Sequence, residues 1–212
     1  LQTSKKLTEA VDLYQLKELL PHDVIGELGN SIVRVPTWAF WPDHWTTTFL
    51  RGLGKLTDEL LSARLWEVGV GTGINLVALS HCIRDATWFF SDFNPDCVAL
   101  AAFNLQHVGI RGDYTPLVGS RNLVQAKVGE TTPKVDVLFG CLPQVPTANG
   151  IDQGDRVAHY YDPTMYPNSK MHSLGLALNE ALLRSAGKVL LGKGKVVLNL
   201  SGRPGLQQLL KL

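Results

Sequence analysis

One short run constrains this chain more than any other: Glu67-Val68-Gly69-Val70-Gly71-Thr72-Gly73. The apolar stretch from Leu65 to Val70 reads as a buried β-strand, and three alternating glycines turn it sharply. Glycine adopts left-handed backbone angles at no steric cost and lets a ligand approach the main chain. The carboxyl end of a first strand is also where open α/β sheets take their ligands. A dinucleotide fingerprint needs G-x-G-x-x-G, but its third position here is Ile74, so that pattern fails. A Walker phosphate loop fails too, because no Gly-Lys-Ser/Thr follows. What remains is an acid two residues ahead of G-x-G-x-G.

The rest of the chain alternates in the same spirit. Ile74 to Ile83 reads as a helix and Thr87 to Ser91 as a second strand, closed by Asp92. Asn94-Pro95 supplies an N-cap and first-turn pair for a helix through His107. Strands are predicted at Tyr114 to Val118, Val135 to Phe139 and Val196 to Leu200, the last preceded by a helix from about Ser173 to Ala186. Strands alternating with helices predict an α/β, Rossmann-like doubly wound, mostly parallel sheet with helices on both faces.

Ahead of this core, Leu7, Ala10, Val11, Leu16, Leu19 and Leu20 fall at near-helical spacing. They predict an amphipathic helix from Thr3 to Leu20, stopped by Pro21. Ile32 to Val35 reads as a short strand. Pro36 to Trp45 holds Trp38, Trp41 and Trp45, too aromatic for an ordinary linker; it reads equally as a brace over the core or as a pocket wall. We expect residues 1–64 to form an N-terminal helical, aromatic-rich cap on a core of residues 65–212, together one structural domain. The long Pro143 to Lys170 stretch reads as a loop or lid.

Composition narrows the partners. The 212 residues carry 20 Lys+Arg against 19 Asp+Glu, a net charge of +1, with no cationic block to bind phosphates or anionic membranes. A small-molecule substrate is expected, with no nucleic acid and no membrane. Cys82, Cys97 and Cys141 are an odd, scattered set without metal-ligand spacing. That predicts neither a disulfide framework nor a metal, and a reducing, cytoplasmic setting. No apolar run approaches the roughly 20 residues of a membrane span, and no leader pattern opens the residues given.

The acid and its glycines resemble the first motif of class I S-adenosylmethionine (AdoMet) methyltransferases. That resemblance implies a cofactor over Gly69, Gly71 and Gly73, with Glu67 serving its ammonium group. Asp92 lies 19 positions after Gly73, where the family places an acid on the ribose hydroxyls. Two hydroxyls can share one carboxylate as acceptor. Taken alone, Glu67 reads as a strand-end carboxylate and Asp92 as a helix cap; in register they imply a nucleoside site. Phe93 and Asn94 follow Asp92 into this cofactor set. The third strand offers Ser120-Arg121-Asn122, and since an Arg cannot accept from an amine, Asn122 or a backbone carbonyl is left to meet the adenine.

The fourth strand runs into Gly140-Cys141-Leu142-Pro143-Gln144. Amine and amide methyltransferases usually carry Asn/Asp-Pro-Pro-Tyr/Phe here, but a thiol accepts amide hydrogens poorly. The segment instead resembles that of methionine S-methyltransferases. Phe40-Trp41-Pro42-Asp43-His44-Trp45-Thr46-Thr47-Thr48-Phe49, Leu174-Gly175-Leu176 and Asn199-Leu200-Ser201-Gly202-Arg203-Pro204-Gly205 match that family's blocks in order. The resemblance implies transfer of a methyl group from AdoMet to the sulfur of L-methionine, releasing S-adenosylhomocysteine. It puts Cys141 beside the cofactor and Trp45, Pro143 and Gln144 near the acceptor.

A thioether has no proton to lose, so no general base is expected, and His159 reads as a lid or packing residue. Arg203 suits the methionine carboxylate, because a guanidinium binds one bidentately, although it reads nearly as well as a turn-capping surface residue. Tyr160 and Tyr161 suit a sulfonium through their ring faces, or simply anchor the loop. The alternatives are an AdoMet-dependent methyltransferase of a protein glutamine, an amide or another small nucleophile, and an AdoMet-binding module without catalysis. Finally, the resembling fold adds two strands after the fifth, and the first residue is Leu1. A portion of a longer protein is therefore expected, its C-terminal strands missing.

Overall fold

The computed structural model describes residues 13–83, 85–109, 114–118, 132–146, 160–161, 163–200 and 206–210. Its first elements form a small antiparallel pair, β1 (Leu13–Gln15) against β2 (Ile32–Arg34), with Tyr14 opposite Val33. Between them lie the one-turn helices α1 (Leu16–Leu19) and α2 (His22–Ile25). The single helix expected up to Leu20 is thus replaced, from Leu13 on, by a strand and a short turn. The spacing of Leu16, Leu19 and Leu20 did mark buried positions. Pairing with β2 satisfies the Tyr14 backbone in a way no side-chain periodicity announces.

Helix α3 (His44–Gly54) starts where Asp43 accepts from the Trp45 and Thr46 N–H groups at 2.8 and 3.3 Å. One turn, α4 (Thr57–Leu60), leads into β3 (Arg64–Val68), α5 (Ile74–Cys82) and β4 (Thr87–Asp92). Next comes α6 (Pro95–Val108), capped as expected by the Asn94 side chain on the Asp96 N–H at 3.0 Å, and closed by Gly109 at φ +77°. The later elements are β5 (Tyr114–Val118), β6 (Val135–Gly140), β7 (Val145–Pro146), β8 (Tyr160–Tyr161), α7 (Ala177–Ala186), β9 (Leu190–Leu198) and α8 (Leu206–Leu209).

Five strands make one sheet in the order β5-β4-β3-β6-β9, every pairing parallel. Side chains alternate between its faces. Leu65, Phe90, Val137 and Phe139 pack on one side with residues of α3, α5 and α6 and with the N-terminal Leu16, Ile25 and Val33. Trp66, Val68, Phe89 and Leu138 pack on the other with Leu178 and Leu182 of α7. Truncating a fully buried ring such as Phe90 to alanine costs ~3–5 kcal/mol.

Two boundaries differ from expectation. Helix α7 begins at Ala177 rather than near Ser173, because His172–Leu174 form a 3-10 turn and Gly175 takes φ +71°. A Cβ at Gly175 would overlap the Gln144 carbonyl oxygen. Strand β9 starts six residues before the predicted Val196, since Gly192 and Gly194 dilute the apolar signal in its first half. Of the expected Pro143 to Lys170 loop, β7 and β8 pair in parallel.

Candidate active site

The glycine turn follows β3 with Gly69, Gly71 and Gly73 at φ +74°, +54° and +77°. A Cβ on Gly73 would stand 2.9 Å from Ala101 of α6, and one on Gly69 2.9 Å from Leu142. Gly71 differs: its missing Cβ faces open space, so only the backbone angle demands glycine there. The turn is tied down on two sides. Ser91 O accepts from the Gly69 and Val70 N–H groups at 2.8 and 3.0 Å. On the other side, buried Asn104 donates to Thr72 O at 2.9 Å and clasps the Arg34 backbone, accepting at 2.7 Å and donating at 2.9 Å.

Glu67 lies at the centre of the sheet, fully buried. Its Oε1 accepts from Asn75 Nδ2 at 2.7 Å, while Oε2 has no partner among the described residues. Burial is the main force pushing its carboxyl up to about 8; the Asn75 bond pulls it down and the Asp92 charge pushes it further up. Asp92, at the end of the neighbouring strand, accepts from Gly71 N at 3.0 Å through Oδ2 and from Asn94 N at 2.9 Å through Oδ1. Burial raises its pKa as well, opposed by the N–H groups of Asn94, Gly71 and Phe93. A carboxylate has about four acceptor positions, so these backbone N–H groups fix Asp92 in place and leave it capacity to accept further. Phe93 beside it is 60% exposed, an unusual surplus of ring surface for a residue at a strand end.

These residues fit an AdoMet-type group on this chain's own geometry. An orphaned acidic oxygen suits an ammonium, an oriented carboxylate suits paired hydroxyls, and the space over Gly71 admits a ligand against the main chain. Glu67, Gly69, Gly71, Gly73, Asp92, Phe93 and Asn94 belong to the ends of β3 and β4 and the turns that follow them.

Across from them the ends of β6 and β9 meet the start of α3 through one residue. Asn199, 8% exposed, donates to Trp45 O at 3.1 Å and to Cys141 Sγ at 3.2 Å, and its backbone oxygen accepts from Gln144 Nε2 at 2.7 Å. Burial pushes the Cys141 thiol up to about 11, the Asn199 bond opposing and the Glu67 and Asp43 charges adding to it. At neutral pH it stays a neutral thiol, not a nucleophile. Pro143 sits half-buried between Leu142 and Gln144. Trp38 and Ala39 pack on Ala99 and Leu100 of α6, and the ring of Trp41 stands edge-on to Tyr14 at 4.6 Å. Of the three tryptophans, only Trp45 touches this junction.

Tyr161 is buried among Trp66, Phe89 and Leu138. Its hydroxyl donates to His172 Nδ1 at 3.1 Å, because His172 Nε2 donates to Tyr166 O at 2.7 Å. The Tyr160 side chain, Asn122, His159 and Arg203 lie outside the described residues. Sequence reasoning missed Asn75, Asn104 and the joining role of Asn199. Only Asn75 left a signal: second residue of α5 and eight positions after Glu67, it is a polar residue in an otherwise apolar stretch. Among the described residues, no His/Cys/Asp/Glu group could hold a metal, and no helix is long and apolar enough to cross a membrane.

No protein-family model and no curated protein matches the sequence. Among solved structures, a methyltransferase from Pyrococcus furiosus is similar with a TM-score of 0.58 and 15% identity, over 93% of this chain and 82% of that one. A precorrin-6y C5,15-methyltransferase from Geobacter metallireducens GS-15 is 18% identical over 78% of this chain and 68% of its own, with a TM-score of 0.44. An S-adenosylmethionine-dependent methyltransferase from Clostridium acetobutylicum ATCC 824 is 14% identical over 78% and 53%, with a TM-score of 0.45. The likeness to the first is one of fold. With its strand order, the chain has the Rossmann-like fold of class I methyltransferases.

Proposed function

We propose that this chain is an AdoMet-dependent methyltransferase whose acceptor is the thioether sulfur of L-methionine, giving S-methyl-L-methionine and S-adenosylhomocysteine. The observation that carries the reading is the buried, unpaired Glu67 oxygen under a glycine turn that also orients Asp92. In water-poor surroundings an unpaired acceptor costs ~1–3 kcal/mol, a penalty that a bound ammonium removes. When bound, AdoMet supplies a sulfonium-activated methyl group, whose transfer leaves the electron pair of the broken bond on the donor sulfur as the acceptor sulfur takes the charge.

The chain's own part is alignment. A neutral thioether carries no proton to remove, so orientation alone can supply much of the acceleration. In this reading Glu67 and Asp92 hold the two ends of the donor, and Phe93 lends its exposed ring to the adenine. Trp45, Pro143 and Gln144, braced through Asn199, frame the acceptor. The remaining roles are proposals from side-chain chemistry: Asn122 for the adenine, Arg203 for the methionine carboxylate and Tyr160 for the sulfonium, with the buried Tyr161 anchoring its loop through His172.

Incubation with methyl-labelled AdoMet and free L-methionine is the test. Labelled S-methylmethionine is expected. Label in protein instead, with none in methionine, overturns the acceptor in favour of an amide or other nucleophile. Donor binding without turnover on any thioether, thiol or amine overturns catalysis itself. Within the same assay Arg203→Ala is expected to raise the KM for methionine more than it lowers kcat.

A further inference from the structure

We infer that Asn75 is a second recognition residue for the methyl donor, its side-chain oxygen joining the free oxygen of Glu67 to receive an alkylammonium. The inference rests on the AdoMet reading and deepens it. Asn75 lies in the first turn of α5, immediately after the glycine turn. Its amide nitrogen donates to Glu67 Oε1 at 2.7 Å. With the carboxamide nitrogen thus engaged, Asn75 Oδ1 is left buried without a partner among the described residues. Glu67 Oε2 is buried without one as well.

Two adjacent orphaned acceptors on hydrogen-bonded neighbours are expensive, at ~1–3 kcal/mol each. Buried polar groups in native proteins are nearly always satisfied, so this pair calls for a partner that the described chain does not provide. That partner has to bring donors to both oxygens and positive charge to the carboxylate. An ammonium, with three N–H donors and no acceptor, does both, directly or through one ordered water. Burial, with a further push from the Asp92 charge, holds the Glu67 proton against the Asn75 bond, and a cation at its free oxygen would loosen that hold.

Titration calorimetry with two ligands separates this role from a structural one. S-adenosylhomocysteine carries the amino-acid end, whereas 5′-methylthioadenosine has the same nucleoside and thioether without it. Asn75→Leu is expected to weaken S-adenosylhomocysteine about tenfold or more, the usual span for a hydrogen bond to a charged group. Its affinity for 5′-methylthioadenosine should stay at the wild-type value, which also reports an intact fold. Equal weakening of both ligands, or of neither, overturns the inference. Wild-type protein that binds neither ligand overturns the AdoMet reading, and the inference with it. Should Asn75→Leu fail to fold, Asn75→Ser offers a shorter donor and acceptor and should show the same split to a smaller degree.

Discussion

On one side of the site, Asp92 is gripped by N–H groups of Gly71 and Asn94, 21 and 2 positions away. On the other, Trp45, Cys141 and Gln144 are each bonded to Asn199, at separations of 154, 58 and 55 positions. The first side is made from one strand-turn-helix unit and the strand beside it, and backbone groups do most of the holding. The second is made from three distant segments, tied by two bonds from a side chain to a backbone oxygen and one between side chains. Under the proposed function, this division would let the acceptor side change while the donor side is kept, although Leu142 lies against Gly69 where the two sides meet.

That contrast can be broken experimentally. Asp92→Ala should act most strongly, lowering S-adenosylhomocysteine affinity by about a hundredfold, as loss of two hydrogen bonds to a charged acceptor implies. An unchanged dissociation constant would remove Asp92 from the ribose role. Glu67→Gln should separate binding from stability on the same side. Folded Glu67 keeps its proton up to about pH 8, whereas the unfolded carboxyl releases it near its ordinary 4.5. Folding therefore takes up a proton between those values, and stability falls as pH rises through them. The Gln variant should melt several degrees above wild type at a pH of about 9, at ~2–4 °C for each kcal/mol. Near the ordinary carboxyl pKa the two should melt together, and at every pH the variant should bind the donor worse. A wild type that melts no lower at high pH would show that Glu67 is not the strained group.

Asn199→Ala addresses the junction: kcat/KM for the acceptor should drop about tenfold while the donor dissociation constant holds, an uncoupling worth ~1.4 kcal/mol. If donor affinity falls in step, the two sides are one. The smallest change is expected from Tyr161→Phe. Losing its bond to His172 should cost ~1 kcal/mol of stability with no effect on donor binding. A raised KM for the acceptor would instead move Tyr161 from loop anchor to pocket wall.

The same contrast explains what could be read in advance. The glycine turn, the Asp92 register, the Asn94-Pro95 cap and the Tyr114–Val118 strand follow from short-range rules of backbone angle, capping and alternation. Asn199 as a junction could not follow from such rules, since nothing local to residue 199 tells that Trp45 will lie within reach. β1 escaped notice because a three-residue strand followed by Leu16, Leu19 and Leu20 carries the same spacing as a helix end. The start of β9 escaped for lack of apolar residues at Gly192 and Gly194. Asn75 was visible only as a polar residue among apolar ones, and an Asn in the first turn of a helix has many ordinary explanations.

The Asn104 clasp has a consequence for how far this architecture can be cut and grafted. The side chain that steadies the glycine turn at Thr72 is itself completed by the backbone of Arg34, thirty residues before β3 begins. A fragment excised at the first strand of the large sheet would carry every glycine and both acids, yet leave Asn104 with an unanswered oxygen and an idle hydrogen in the interior. The turn is thus not portable with its motif. Any transplant that is to keep its shape must bring β2 along.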